Sequence, residues 1–230
     1  MREIVLDTET TGLDPNQGHR LVEVGCVELL NRIPTGQTFH AYVNPERDMP
    51  MEAFNVHGLS AEFLSGHKKF AQIVDDFLAF IGDDAPLVIH NAEFDHKFLC
   101  AELKLVKRTL IARDRLVDTL ALARRKHSAG PYNLDALCGR YGIDNSRRTK
   151  HGALLDAEIL AEVYLELLGG RQASLMLAEN IVSHSVNVDG SAVSRSRPEP
   201  LKPRLTEAEL AAHRAFVGTL GAEAVWQKYL

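Results

Sequence analysis

Asp7 and Glu9 stand two residues apart at the end of a short apolar run, Ile4-Val5-Leu6. On an extended chain, residues i and i+2 point to one side. Both carboxylates therefore converge if the strand persists to Glu9. Two like charges held together at the end of a core strand are costly unless something neutralises them. A divalent cation is the simple neutraliser, because hard cations prefer carboxylate oxygens. Alone, an Asp-x-Glu is more often a pair of ordinary acids in a solvated loop. Two further segments shift that balance. Asp95 follows the apolar run Leu87-Val88-Ile89 and falls in the first turn of the next helix. A helix start stabilises an anion by itself, but strand ends and helix starts are also where open mixed sheets place their sites. Farther on, His151 precedes Gly152, and Asp156 follows five residues after the histidine. Were both helical, they would lie ~140° apart. Gly152 instead puts His151 on an approach loop, from which it can swing toward the point that Asp156 faces. Asp156 itself borders the apolar stripe Leu155, Ile159, Val163 and Leu167, at the edge of a buried helix face.

Positioning these groups requires strands and helices in a definite order. Leu21 to Leu29 reads as a second strand after Ile4-Val5-Leu6, and Thr38 to Val43 as a third, with Asn31 to Gln37 making the turn. Phe70, Ile73, Val74, Phe77, Leu78 and Ile81 have helical spacing. His57-Gly58 reads as a turn before a helix beginning near Ser60. Leu87 to Ile89 is a strand, and Asn91 is placed to cap a helix from about Glu93 to Leu103. Arg115 to Thr119 reads as a strand feeding a helix through Arg125. Asn133 caps a helix ending near Tyr141-Gly142. The last core helix runs from about Ala153 to Leu168, stopped by Gly169-Gly170. Strands first, then strands alternating with helices, predict an α/β fold with a mixed central sheet flanked by helices.

The chain carries 26 Lys and Arg against 31 Asp and Glu, a formal charge of −5. That excludes a strongly basic nucleic-acid binder. A site of four carboxylates supplies most of the excess, and two divalent cations would cancel it where a phosphate must approach. Basic clusters at Arg124 to His127 and Arg147 to Lys150 read as solvated faces or phosphate contacts, Lys150 beside His151 being the better contact. Cys26, Cys100 and Cys138 lack metal-ligand spacing and read as reduced buried thiols. No apolar run suits a bilayer, and Met1 to Asp7 reads as a strand and not a signal peptide, so a cytoplasmic protein is expected. Composition changes after Gly170. Ser183 to Arg204 is rich in Ser, Arg and Pro and reads as a flexible linker. Thr206 to Glu209 fits a capping box ahead of a short helix, with Leu210, Phe216 and Val217 as candidate apolar contacts. The segment around Trp226 reads as a docking peptide, the alternative being a tail folded back on the core.

The order and flanking words are specific jointly. IVLDTETTGL, FNVHGL, LVIHNAEFD and NLDALCGRYGIDNSRRTKHGALLDAEILAEVYL resemble the histidine-bearing branch of the DEDD exonuclease superfamily, and more closely the family of epsilon proofreading subunits of bacterial DNA polymerase III. The resemblance covers about residues 2 to 177 and the linker-plus-tail layout. It implies a ribonuclease H-like exonuclease domain over residues 1–170, a clamp-binding motif and linker over 171–204, and a polymerase-docking segment over 205–230. It implies a 3′→5′ exonuclease that uses two Mg²⁺ or Mn²⁺ ions ~3.5–4 Å apart. Asp7 would bridge both ions, Glu9 and Asp156 would hold the one carrying the attacking water, and Asp95 would help hold the other. His151 would take the proton from that water. Thr10, Thr11, Gly12 and Leu13, with Glu52 and His57, would contact the terminal nucleotide of a DNA 3′ end. Gln172, Leu175 and Leu177 would bind the sliding clamp, Leu177 standing where the family favours an aromatic. The tail would dock on the DNA polymerase III catalytic subunit, and the family leaves room for a small accessory subunit. A mispaired end frays more cheaply than a paired one, which would give selectivity without base reading. The competing readings are an RNA-trimming exonuclease of the same superfamily, a non-catalytic replisome binding subunit, and a phosphate-cleaving enzyme of unrelated fold.

Overall fold

The structure, a computed structural model, describes residues 1–148, 150–170, 206–221 and 225–226. Contacts divide the chain into two units, Met1–Leu175 and Met176–Leu230.

In the first unit a five-stranded sheet runs in the order β3-β2-β1-β4-β5. Its centre is β1 (Arg2–Thr10), which pairs antiparallel with β2 (Leu21–Leu30) and parallel with β4 (Leu87–Ile89). Outside these lie β3 (Ile33–Tyr42), antiparallel to β2, and β5 (Leu116–Asp118), parallel to β4. The sheet is mixed, as the order of strand and helix signals predicts. Alternation along β1 divides the core. Ile4 and Leu6 pack with α3 (Phe70–Ile81) and α4 (Ala92–Leu105). Val5 faces the opposite way, onto α5 (Thr119–Lys126), α6 (Leu134–Tyr141) and α7 (Ala153–Leu167). Each fully buried Leu, Ile or Phe contributes about 1.5–3 kcal/mol, so both helical layers hold β1 firmly between them.

Three local expectations need correction. The turn between β2 and β3 is not Asn31 to Gln37. Only Asn31 and Arg32 lie between the strands, both at positive φ (51° and 67°), a two-residue hairpin whose twist matches its strands. Pro34 and Gly36 belong to β3, an exposed edge strand that tolerates them. Met51–His57 forms a helix, α1, where the sequence offers only a turn at its end. It has no side-chain cap and stops at Gly58, whose φ of 76° favours glycine. The helix expected near Ser60 is α2 (Ala61–Ser65), with the Ser60 hydroxyl accepting from Phe63 N–H. Asn91 precedes α4 in a left-handed conformation, and its side chain makes no cap bond. Asn133 does cap α6, accepting from Ala136 N–H at 2.9 Å. Cys26, Cys100 and Cys138 are free thiols, Cys100 only partly buried.

In the second unit, α8 (Glu207–Thr219) begins with the predicted capping box. Thr206 N–H donates to Glu209 at 2.8 Å, and Glu209 N–H donates to the Thr206 hydroxyl at 3.3 Å. The linker at 183–204 and the clamp-motif residues Gln172, Leu175 and Leu177 lie outside the described residues. Among the described residues, no helix is long and apolar enough to cross a membrane.

Candidate active site

β1 persists through Thr10, so Asp7 and Glu9 share the face that looks toward α7. In the β1–β2 register, Asp7 stands opposite Gly25. A Cβ at Gly25 would meet Leu154 N at 2.2 Å and the carbonyl carbon of Ala153 at 2.3 Å. Only glycine lets the start of α7 lie directly on β2 beside Asp7. That approach carries Asp156, in the first turn of α7 and 2% exposed, to the strand carboxylates. Asp95 arrives from α4, on the other side of the sheet. It accepts the Thr8 hydroxyl at 2.7 Å, Thr8 pointing oppositely to Asp7 and Glu9. His151, on the loop before α7, has Nδ1 3.4 Å from Asp156 Oδ2. Ligand atoms of Glu9, His151 and Asp156 all lie within 4.8 Å of one another, a spacing that can hold a metal ion.

The electrostatics bind all four carboxylates into one cluster. Burial pushes the Asp7 carboxyl well up from its ordinary range, and Asp95, Glu9 and Asp156 push it further. Burial, with Asp156 and Glu23, raises Glu9 to about 8. Burial raises Asp95 to about 7, against the hydrogen bond from Thr8. Asp156 moves the other way. Burial would raise it, but the neighbouring His151, the hydrogen-bonded fork from Arg148 and the guanidinium charge hold it below its ordinary value. Such opposed shifts among neighbouring carboxylates mark a functional site.

Beside Glu9 lies a cavity of about 440 Å³, lined by Thr8 to Leu13, His19, Glu52, His57 and Phe94 among others. The six residues expected at a nucleotide, Thr10, Thr11, Gly12, Leu13, Glu52 and His57, therefore share one pocket with Glu9. Leu13 is 85% exposed. His57 is buried, and its Nδ1 accepts from Leu59 N–H at 3.0 Å. Its proton therefore sits on Nε2, a buried atom with no hydrogen-bond partner among the described residues. Burial lowers the His57 pKa, against a contact with the Thr10 backbone that raises it, and so favours the neutral ring.

Three residues at the site were not singled out from sequence. The sequence places Arg148 in a basic run that reads as a solvated face or a phosphate contact. Instead its side chain is 7% exposed and turned onto acids. It donates to both oxygens of Asp156, at 2.5 and 2.7 Å, and to both oxygens of Asp135, at 2.9 Å each. Lys150, favoured for a phosphate, donates to Asn55 O at 2.7 Å, and His151 N–H donates to Val56 O. Both tie the loop to α1. Glu23 is a fifth carboxylate, 3% exposed, opposite Glu9 in the register and bonded to His40 at 2.7 Å. A charge within the otherwise apolar start of β2, Leu21 to Val27, is the signal that could have found it. His19 packs where a side chain on Gly12 would stand, 2.3 Å from its ring, and no sequence pattern points to it.

The sequence model of the RNase_T family, described as an exonuclease, matches residues 4–164. The chain is 48% identical over 223 residues to the DNA polymerase III subunit epsilon of Rickettsia felis, covering 96% of this chain and 97% of that protein. It is 42% identical over 240 residues to the subunit of the same name from Escherichia coli strain K12, covering 98% and 97%. Among solved structures, the nuclease domain of 3′hExo, a DEDDh family member bound to rAMP, is similar with a TM-score of 0.61 at 20% identity. That match covers 73% of this chain and 91% of the other.

Proposed function

Because the chain belongs to the RNase_T exonuclease family, and within it to the DNA polymerase III epsilon subunits, it is a metal-dependent 3′→5′ proofreading exonuclease, and we propose that Asp7, Glu9, Asp95, His151 and Asp156 form its active site. The observation that supports this assignment is that four carboxylates from three separate stretches of chain bear on one another, with Glu9 and Asp156 beside His151. Oxygen donors whose carboxyl groups resist ionising side by side suit hard divalent cations. Two Mg²⁺ or Mn²⁺ ions would be the fitting occupants, and Asp7, Glu9 and Asp156, with help from Asp95, would hold them. Bound there, the ions would supply Lewis-acid stabilisation of phosphate charge and would lower the pKa of a bound water toward neutral pH.

The chain's own groups do the rest. His151 accepts the proton of the attacking water. The bond from phosphorus to the 3′ oxygen breaks, releasing a nucleoside 5′-monophosphate and a new 3′ hydroxyl. The cavity beside Glu9 is of a size for one nucleotide. There the buried His57 Nε2–H is a donor awaiting an acceptor on the substrate, with Glu52, Thr10 and Leu13 as further contacts. A pocket for one splayed nucleotide favours a frayed end over a paired one. Gln172, Leu175 and Leu177 serve as the sliding-clamp contact and residues 205–230 as the dock for the polymerase catalytic subunit. Residues 1–170 make up the exonuclease domain and 171–204 the motif and linker, within a cytoplasmic replication complex.

Digestion of a 5′-labelled mismatched primer, with and without Mg²⁺, tests the assignment. The Asp7→Ala, Glu9→Ala double variant should fold and lose at least about a thousandfold in cleavage, the scale set by metal-assisted chemistry. Metal-dependent digestion retained by that variant would place the site elsewhere.

A further inference from the structure

Asp156 is the one carboxylate of the cluster already held by a cation, and that cation is a side chain. Arg148 spans both of its oxygens in a fork, Nε to Oδ1 at 2.5 Å and Nη2 to Oδ2 at 2.7 Å. The same Nη2 lies 2.8 Å from His151 Nδ1. A guanidinium has only donors, so this contact uses the Nδ1 lone pair. A neutral imidazole bonded in that way carries its hydrogen on Nε2 and has no lone pair left to accept a proton from water. The fork and the imidazole contact therefore occupy two things that cleavage requires, a full set of Asp156 oxygens and a basic ring nitrogen. The opposite edge of the guanidinium rests on Asp135, with both oxygens at 2.9 Å from Nη1. Asp135 is 56% exposed at its side chain and lies outside the carboxylate cluster. It gives the guanidinium a partner to keep if Asp156 is taken away.

We propose that Arg148 is an exchangeable resident cation: it neutralises Asp156 and masks His151 until a divalent ion takes its place, and then withdraws onto Asp135. The inference rests on the metal-site reading above. It makes Arg148 a positioning residue whose displacement couples ion binding to release of the base. A purely structural arginine, one that holds Asp156 in the geometry a metal needs, predicts weaker Mn²⁺ binding in both variants below.

The test is the Mn²⁺ affinity of the full chain, measured by calorimetric titration without DNA, together with melting temperature with and without Mn²⁺. Arg148→Gln should bind Mn²⁺ about tenfold more tightly than the wild type, since a charge-assisted fork no longer competes. It should melt lower without metal and recover with it. Arg148→Lys keeps the charge but loses the fork. It should bind about threefold more tightly, which separates displacement of a contact from mere relief of charge, and it remains informative if the glutamine variant fails to fold. Unchanged or weaker Mn²⁺ binding in Arg148→Lys would overturn the exchange. A wild-type chain that binds no Mn²⁺ while Asp156 is intact would instead remove the metal-site reading on which it stands.

Discussion

The two walls of the site solve one electrostatic problem in opposite ways. On the strand wall, Glu9 on β1 is raised to about 8 by burial and by the carboxylates around it. On the helix wall, Asp156 on α7 is as buried, yet its carboxyl is held below the ordinary range by His151 and Arg148. The residues are alike in chemistry and belong to one cluster. They differ in that a guanidinium forks onto Asp156, while among the described residues Glu9 feels that charge only at a distance. Burial alone therefore does not set the charge state here; the partner does. The strand wall is built for an incoming cation, and the helix wall carries one of its own.

Neutralising each wall should separate two properties. Glu9→Gln and Asp156→Asn should each lose about a hundredfold or more in cleavage, as removal of a charge facing the reaction does. Their stabilities without metal should diverge. Asp156→Asn strips a buried ion pair of one member and should cost about 2–4 kcal/mol. Glu9→Gln relieves repulsion and should raise the melting temperature by a few degrees, about 1 kcal/mol. Chemical denaturation in EDTA reads both, and a shared sign would erase the contrast between the walls. Gly25→Ala attacks the seam between them. The new methyl would force α7 off β2, costing about 1–3 kcal/mol. Displacing Asp156 by a fraction of an ångström should lower kcat about tenfold to a hundredfold, as primer-digestion rates would show.

A further effect concerns pH. Glu9 titrates near 8 and Asp95 near 7 when folded, above their ordinary values of 4.5 and 3.8. Between those limits the folded chain holds more protons than the unfolded one, so stability falls as pH rises. Melting temperature in EDTA should decline from about pH 5 to pH 8, and saturating Mg²⁺ should flatten the slope, since it favours the ionised carboxylates. A metal-free melting temperature that rises across this window would mean that the strand carboxylates are not crowded as described.

Much of this was legible in the residues. Side-chain alternation placed Asp7 and Glu9 together, Gly152 put His151 on a loop, and the apolar stripe of α7 put Asp156 at a buried edge. Helical spacing gave α3 at its observed ends, and the capping signals gave α6 and the start of α8. What was not legible depended on partners far apart in sequence. Arg148 lies in a basic run, and nothing local reveals that it turns inward to Asp135 and Asp156. Gly25 resembles any strand glycine until α7 is laid across it. α1 lacks a side-chain cap, and the loop that follows Arg148 is tied to it by Lys150. β3 is longer than its sequence suggests because Pro34 and Gly36 resemble turn residues, and only an edge position lets them stay in a strand.

The most direct measurement is anomalous diffraction from crystals of the full chain grown with Mn²⁺. Manganese peaks within coordination distance of the carboxylates on both walls, with the Arg148 guanidinium lifted from Asp156, are the expected result. Manganese bound only at other acids, beside an undisturbed Arg148–Asp156 pair, would contradict the account.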